Sequence, residues 1–383
     1  MDRYLYSHIL SDLKKKMVFI GGPRQVGKTT LAKSLLKDFR SGLYLNWDDP
    51  DQRKLMFQRQ WNDSDQLIIL DELHKLKAWK NFIKGTWDTQ HEHHRFVVTG
   101  SARLDVYRRG GDSMLGRYHY WRLHPFCLAE HPPGLDSRDV LQRLLSVGGF
   151  PEPFLENDEV FARRWRRERH DRVLTSDIRD LERLENISSL GLLIDLLRER
   201  VGSEISMSNL ALDLNVSPHT IKKWIQILER MYLVFLVTPY TAKLARAISK
   251  PPKIYFFDPA DTSENIGSRF ENLVACGLLK RLHFLEDSTG HRFELRFLRD
   301  REDHEVDFLI LKDRKVVELI EVKTTFKEPS KSLIYFGKKI GGVHLTQICM
   351  DIESPYIRQG VQICSPIHYL SPPLSLEPWS VPM

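Results

Sequence analysis

One glycine-rich loop constrains the fold of this 383-residue chain more than any other feature of its sequence. The loop reads GPRQVGKT; it follows the apolar run MVFIG and precedes the helical pattern TLAKSLL. A strand, a glycine-rich turn and a helix in this order form a phosphate-binding loop, whose backbone N–H groups face the phosphates of a nucleotide. The residues expected to bind the nucleotide are Gly22, Pro23, Arg24, Gln25, Val26, Gly27, Lys28, Thr29 and Thr30.

Four side chains have defined expected roles in the chemistry of this nucleotide. The ammonium of Lys28 is expected to bind the β- and γ-phosphates, and the hydroxyl of Thr29 to bind Mg²⁺. The run LIILDE ends in an acidic pair, in which Asp71 would hold Mg²⁺ through water and Glu72 would orient or deprotonate the attacking water. The sequence therefore predicts a site for ATP and Mg²⁺.

Polar residues after the run RFVV extend the predicted catalytic set. Thr99 and Ser101 are expected near the γ-phosphate, although an ordinary polar strand end is the alternative reading. An arginine finger supplies positive charge to the transition state, often from a neighbouring subunit. Arg117 is the first candidate for this finger and Arg103 is the second.

Short apolar runs alternate with helical patterns through the first third of the chain. The runs cover residues 17–22, 42–47, 66–70 and 95–100, and residues 118–126 supply a fifth strand. Near-continuous apolar strands that alternate with helices predict a parallel sheet covered on both faces.

The middle of the chain has mostly helical patterning. The segment NLALDLNVSPHTIKKWIQILERMYLVFLV predicts two helices joined by a tight turn and followed by a β-hairpin, which is the order of a winged helix. Basic residues on and around it suggest contact with the DNA backbone. The residues expected to contact DNA are Arg163, Arg166, Arg167, His219, Lys222, Lys223, Lys243 and Arg246.

Positive charge is concentrated in two segments. The chain has a net charge of +6, and residues 161–172 and 241–253 carry +4 each, so the remainder carries −2. For residues 161–172 a solvated helix face that pairs with nearby acids is an equal alternative. For residues 241–253, which follow the predicted hairpin, DNA contact is favoured over plain surface charge.

Acidic residues and a lysine alternate along two strands near the end of the chain. The runs EVDFLI and IEVK belong to an expected hairpin, in which Glu305 and Asp307 share a face of the first strand and Glu321 and Lys323 share a face of the second. Asp307, Glu321 and Lys323 are thus expected to form an acidic pair with a lysine. A solvated charged face on an edge hairpin is the alternative reading.

These segments resemble two known groups of proteins. GPRQVGKTTLA, YLNWDD, LIILDELHK, TGS and GRYHYWRLHPF resemble the prokaryotic AAA-type ATPases described as "ATP-binding protein", over nearly the whole chain. The pattern Asp307…Glu321-Val-Lys323 resembles the PD-(D/E)xK nuclease fold, and Glu271 matches an additional glutamate of that fold. This resemblance implies a second Mg²⁺ or Mn²⁺ held by carboxylates, with the lysine positioning water or stabilising charge. It is also compatible with an inactive DNA-binding or scaffolding module.

Together these patterns predict a multidomain α/β chain. We expect a P-loop ATPase domain with a parallel sheet at residues 1–150 and a helical region with a winged helix at 151–260. A restriction-endonuclease-like α/β domain at 261–370 and a proline-rich tail at 371–383 would follow. Four distant cysteines without CxxC spacing argue against a disulfide framework or a zinc site. No signal-peptide core or bilayer-length apolar run is evident, so we expect a cytoplasmic protein without membrane contact.

Three functions fit these expectations. The first is a Mg²⁺-dependent ATPase that assembles into a homo-oligomeric ring, such as a hexamer, and remodels or moves along DNA, including branched DNA. The second is an ATP-gated DNA nuclease that uses the C-terminal residues. The third is a nucleotide-dependent switch or scaffold that acts on a protein partner.

Overall fold

The apolar runs of the first third form five strands in a computed structural model that describes residues 3–100, 114, 116–174, 187–241 and 250–377. Contacts divide the chain into two units, Met1–His124 with Arg230–Tyr232 and Pro125–Glu229 with Leu233–Met383. The expected site residues Ser101, Arg103, Lys243 and Arg246 lie outside the described residues, as do residues 378–383 of the expected tail.

The strands of the first unit form one parallel sheet, as the sequence predicts. Their spatial order is β2-β3-β4-β1-β5. This order places the carboxyl end of β4 between those of β1 and β3, so polar residues at all three ends meet at one edge. The strands are β1 Met17–Gly21, β2 Gly42–Asn46, β3 Leu67–Asp71, β4 Arg95–Thr99 and β5 Tyr118–Arg122.

Helices border this sheet because its central strands are apolar on both faces. Met17 and Phe19 of β1 lie in one buried cluster with Leu70 of β3 and with Trp79 and Ile83 of the fourth helix. The first two helices contact β1, β3 and β4. The helices are α1 Tyr6–Leu13, α2 Lys28–Ser34, α3 Pro50–Gln58 and α4 Trp79–Gln90.

The second unit begins with a series of helices. Ser206 caps one of them by accepting a hydrogen bond from the N–H of Asn209, and Ser217 caps the next through the N–H of Thr220. The turn between these two helices includes Asn215 in the left-handed conformation, with φ of 52°. The helices are α5 Ser137–Ser146, α6 Pro151–Glu156, α7 Glu159–Arg172, α8 Ile187–Arg198, α9 Met207–Asp213 and α10 Pro218–Arg230.

An antiparallel hairpin follows the helix-turn-helix formed by α9 and α10. Strand β6 (Val234–Pro239) pairs with β7 (Lys253–Phe256), and β6 also pairs in parallel with β8 (Phe293–Arg299). The hairpin expected as a wing is therefore continuous with the C-terminal sheet. This continuity brings the inward-facing residues of β7 next to the acidic strands.

The C-terminal sheet has the order β12-β13-β11-β10-β9-β8-β6-β7. Strands β8, β9 and β10 are antiparallel neighbours, and β10 pairs in parallel with β11. The remaining strands are β9 Glu305–Lys312, β10 Lys315–Lys323, β11 His344–Cys349, β12 Tyr356–Arg358 and β13 Val361–Cys364, and the helices are α11 Ile266–Thr289, α12 Lys331–Ile340 and α13 Pro366–Leu370. Among the described residues, no helix combines the length and apolar character needed to cross a membrane.

Candidate functional site

The loop between β1 and α2 has the conformation that its glycines permit. Gly22 and Gly27 have φ of 137° and 96°, a region that L side chains rarely adopt. A Cβ at Gly22 would lie 2.2 Å from the backbone oxygen of Leu123. Arg3 supports the far side of the loop, because its Nη1 donates to the Val26 oxygen at 2.8 Å. The two glycines are thus required by the backbone itself.

Lys28 lies inside this loop. Its Nζ donates to the backbone oxygens of Gly22, at 3.0 Å, and Pro23, at 2.6 Å, and the side chain is buried. The ammonium therefore occupies the concave side of the loop, where phosphates bind in such loops. Arg24 and Gln25 are half-buried, and Thr30 is exposed on α2.

The carboxylate of Asp71 accepts three hydroxyl hydrogen bonds. Thr29 donates to Oδ2 at 2.8 Å, and Thr99 donates to Oδ1. The third donor is Tyr44, whose hydroxyl lies 2.7 Å from Oδ2. Tyr44 is not among the residues predicted from the sequence, although β2 pairs with β3 and Tyr44 lies only two residues before the strand end. Burial, together with the bond to Asp71, raises the pKa of Tyr44, so the phenol remains a donor.

Glu72 follows Asp71 in the left-handed conformation, with φ of 57°. The backbone therefore turns at Glu72, directly after strand β3 ends. Burial raises the pKa of Glu72, and the ammonium groups of Lys28 and Lys75 oppose this shift. Lys75 Nζ lies 3.7 Å from Glu72 Oε2. A carboxylate with a raised pKa beside a phosphate-binding lysine suits the role of general base.

These residues fit Mg-ATP. The oxygen atoms of Thr29 and Asp71, which lie 2.8 Å apart, are of the kind that Mg²⁺ prefers. The loop provides backbone N–H groups together with the Lys28 ammonium for the phosphates. The arrangement thus contains an anion cradle, a pair of oxygen ligands and a candidate base at one edge of the sheet.

Arg117 lies at the opposite edge of the same sheet. Its backbone oxygen accepts from the N–H of Met17, the first residue of β1, whereas the loop follows the last residue of that strand. Its Nε donates to Asp88 Oδ1 of α4 at 2.7 Å. Arg117 is therefore remote from the loop of its own chain, and its role as a finger for a neighbouring chain stays a prediction.

The C-terminal residues Glu271, Asp307, Glu321 and Lys323 lie on α11, β9 and β10. Asp307 Oδ2 accepts from the N–H of Val322 at 2.9 Å. Glu321 and Lys323 form an ion pair of 2.8 Å. The alternation along β9 and β10 thus places Asp307 close to Glu321 and Lys323.

A buried lysine that the sequence analysis placed on the surface lies among these carboxylates. Lys253 Nζ is 2.6 Å from Glu305 Oε1, 3.3 Å from Asp307 Oδ1 and 3.6 Å from Glu271 Oε1, and only 2% of the side chain is exposed. Counting Lys253 among the DNA-facing charges of residues 241–253 was wrong, because its charge is buried and paired. The alternation of KIYF was an available signal, since it places Lys253 and Tyr255 on one face of β7.

Burial and mutual repulsion dominate the titration of this cluster. Burial, and then the charge of Asp307, raise the pKa of Glu271 to about 7 and that of Glu321 to about 7. Burial lowers the pKa of Lys253, but Asp307, Glu271 and Glu305 outweigh it and the net shift is upward. The Lys253 side chain is therefore held as an ammonium among these carboxyl groups.

The expected second metal does not fit these contacts. Within the described part of the chain, only Asp300, Glu302 and His304 place three ligand atoms within 4.8 Å of one another. Those three lie in the turn before β9, and Glu302 is exposed. The oxygen atoms of Asp307, Glu305 and Glu271 instead contact the ammonium of Lys253.

The expected DNA contacts are partly exposed. Arg163 and Arg167 are exposed on α7, whereas Arg166 is half-buried and donates to the Val147 oxygen. Arg169 of the same helix is buried, with its guanidinium 4.0 Å from the centre of the Phe150 ring. The basic segment 161–172 therefore offers less surface charge than its composition suggests. On α10, His219, Lys222 and Lys223 are all exposed.

The part of the chain that contains the nucleotide site matches a known protein family. Residues 14–131 match the AAA domain, a span that holds the loop, the acidic pair and all five strands of the parallel sheet. The match supports an AAA-type P-loop ATPase. Residues 138–260 and 266–366 match two domains of unknown function, DUF8612 and DUF4143.

Curated relatives are distant. An uncharacterized protein of Mycobacterium tuberculosis is 25% identical over 247 residues, which cover 63% of this chain and 54% of the relative. An uncharacterized protein of Methanocaldococcus jannaschii is 24% identical over 303 residues, covering 70% and 68%. The chain thus spans about half the length of the mycobacterial relative that it matches.

Solved structures resemble this chain only weakly over their whole length. The Walker-type ATPase of Pyrococcus abyssi is 14% identical with a TM-score of 0.40, covering 67% of this chain and 93% of that chain. The Orc1 protein of Aeropyrum pernix, solved in complex with DNA, is 13% identical with a TM-score of 0.34, covering 70% and 88%. TM-scores this low establish neither a shared domain arrangement nor a shared partner.

Proposed function

We propose that this chain hydrolyses ATP with Mg²⁺ and uses hydrolysis to act on DNA. The observation that carries the ATPase part is the meeting of Thr29, Thr99 and Asp71 beside a loop that contains Lys28. Bound Mg²⁺ would supply charge neutralisation at the β- and γ-phosphates. Lys28 would bind the phosphates, Thr29 and Asp71 would hold the metal, and Glu72 would accept a proton from the attacking water.

A substitution in the loop tests this assignment. Lys28→Ala is expected to lower ATP hydrolysis by at least about 100-fold, because the side chain supplies the positive charge facing the transferred phosphoryl group. Release of inorganic phosphate from the full chain is the measurement. Lys15→Ala, which changes an exposed lysine before β1, is the matched control. An unchanged rate in Lys28→Ala would disprove the nucleotide-site assignment.

Exposed basic residues on α10 support the DNA part of the proposal. His219, Lys222 and Lys223 occupy successive exposed positions on the second helix of the helix-turn-helix. In helix-turn-helix proteins the second helix enters the major groove, and lysine contacts with phosphates make affinity depend on salt. Arg163 and Arg167 add exposed charge on α7. These exposed positive charges suit a polyanion such as DNA. We also propose that the chain assembles into a homo-oligomeric ring.

An ATPase assay with DNA separates the proposed motor from a switch that acts on a protein. Single-stranded, duplex and branched DNA are added to the full chain, and at least one is expected to stimulate hydrolysis. The variant Lys222→Glu, Lys223→Glu is expected to lose this stimulation and retain basal hydrolysis. The control changes the exposed pair on α12, Lys338→Glu and Lys339→Glu. Indifference to every DNA, with an oligomeric state that depends on nucleotide, would favour the switch.

A further inference from the structure

The C-terminal cluster contains its own cation. Lys253 enters from β7 and forms ion pairs with Glu305 of β9, Asp307 of β9 and Glu271 of α11. We propose that the Lys253 ammonium holds the place that a divalent cation would take in this cluster, so that the carboxylates do not bind Mg²⁺ or Mn²⁺. This inference concerns only the C-terminal cluster and is independent of the proposed ATPase.

Electrostatics explain why a cation is needed there. Buried carboxylates that lack a compensating charge are costly, and the cost grows when several lie together. Lys253 is fully enclosed, and its distances to three carboxylate oxygens span 2.6–3.6 Å. One ammonium thus compensates three acids from two different elements. A Mg²⁺ ion about 2.1 Å from Asp307 Oδ1 would lie within about 5.5 Å of this ammonium, with little water to screen their repulsion.

The carboxylates are also occupied by further donors. Asp307 uses Oδ2 for the N–H of Val322, at 2.9 Å. Glu271 Oε1 accepts the hydroxyl of Tyr255 at 2.6 Å, and a Cβ at Gly202 would lie 2.8 Å from Glu271 Oε2. Mg²⁺ requires near-octahedral oxygen coordination and usually keeps several waters. What separates this cluster from the Asp71 site is the Lys253 ammonium, which lies within 3.6 Å of an oxygen of each of three carboxylates, while the backbone at Gly202 crowds Glu271.

The ion pairs also connect strand β7 to elements that are not its neighbours in the sheet. Strand β7 lies beside β6 at the end of the eight-stranded order, whereas the acids lie on β9 and α11. Lys253 therefore joins the hairpin after the helix-turn-helix to the fold that carries the D…ExK pattern. The pattern in this chain is accordingly assigned to an ion-pair network and not to cleavage of DNA.

Binding of Mn²⁺ to the full chain without nucleotide tests the proposal. Free Mn²⁺ is measured by its electron paramagnetic resonance signal for the wild type, for Lys253→Met and for the exposed control Lys250→Met. We expect Lys253→Met to gain about one Mn²⁺ per chain, because removal of the ammonium leaves the acids uncompensated. The double variant Lys253→Met, Asp307→Asn should lose that ion, which locates it. Wild type and Lys250→Met should show no such gain.

Two results would overturn the proposal. One is a wild-type Mn²⁺ site that Asp307→Asn removes, and the other is a Lys253→Met protein that folds, by circular dichroism, and gains no ion. If Lys253→Met does not fold, the comparison of wild type with Asp307→Asn decides alone. Equal Mn²⁺ binding by these two proteins would then support the proposal.

Discussion

Asp71 is the residue at which the hydrogen bonds of the nucleotide site converge. Its carboxylate accepts from Thr29, Thr99 and Tyr44, which come from α2, β4 and β2. Three donors restrict the rotation of the carboxylate and fix its orientation beside the loop. A carboxylate held in this way is prepared to bind a metal ion without first having to be oriented.

Removal of one donor should therefore weaken metal binding without abolishing the site. Tyr44→Phe deletes the hydrogen bond from the phenol to Asp71 Oδ2, a loss of about 1.5–3 kcal/mol. We expect the Mg²⁺ concentration needed for half-maximal ATP hydrolysis to rise about tenfold. The control Tyr356→Phe changes an exposed tyrosine. An unchanged Mg²⁺ dependence would show that Tyr44 does not position Asp71.

At the scale of elements, buried polar residues join strands that are far apart in the chain. Glu318 of β10 accepts from Thr346 of β11 and from Tyr369 of α13, both at 2.6 Å. Burial raises the pKa of Glu318 to about 7, and the two hydroxyl bonds oppose this shift. The carboxyl thus connects two parallel strands and a helix while it remains hard to ionise.

This raised pKa makes stability depend on pH. Because the folded chain holds the Glu318 proton up to about pH 7 and the unfolded chain releases it near pH 4.3, the unfolding free energy falls as pH rises between these values. Glu318→Gln cannot ionise, so its stability relative to wild type should rise by about 2.5 kcal/mol from pH 5 to pH 8. Urea unfolding across this range measures the difference. A difference that does not change with pH would contradict the argument, and Glu302→Gln, at an exposed position, is the control.

At the scale of the whole molecule, the predicted finger Arg117 and the nucleotide loop lie at opposite edges of one sheet. Arg117 belongs to the amino edge of the parallel sheet, whereas Lys28 and Glu72 belong to the carboxyl edge. If Arg117 serves as the finger, it acts on a neighbour in a head-to-tail assembly, which forms a ring when the rotation between neighbours closes and an open filament when it does not.

Mixing two inactive variants tests this arrangement. Arg117→Ala and Glu72→Gln should each lose ATP hydrolysis, whereas an equal mixture should recover about one quarter of wild-type activity, since a quarter of random interfaces pair an intact base with an intact arginine. Phosphate release after subunit exchange is the readout, and each variant alone in the same exchange is the control. Full activity of Arg117→Ala, or no recovery on mixing, would exclude the finger role.

Local patterns in the sequence predict a large part of the fold and of the candidate nucleotide site. The five strands, the phosphate-binding loop and the acidic pair follow from apolar runs and glycine placement, which act over a few residues. The face shared by Glu305 and Asp307 follows from alternation in the same way. The AAA domain match over residues 14–131 agrees with these predictions.

Only the tertiary structure decided which partners these residues have. Alternation shows that Lys253 and Tyr255 share a face, but the acids they meet lie up to 54 residues away and belong to other elements. The net charge of residues 161–172 and 241–253 likewise predicts surface charge at Arg169 and Lys253, although both side chains are buried. Burial and pairing depend on how distant segments pack, and a local pattern of charges carries no information about that packing.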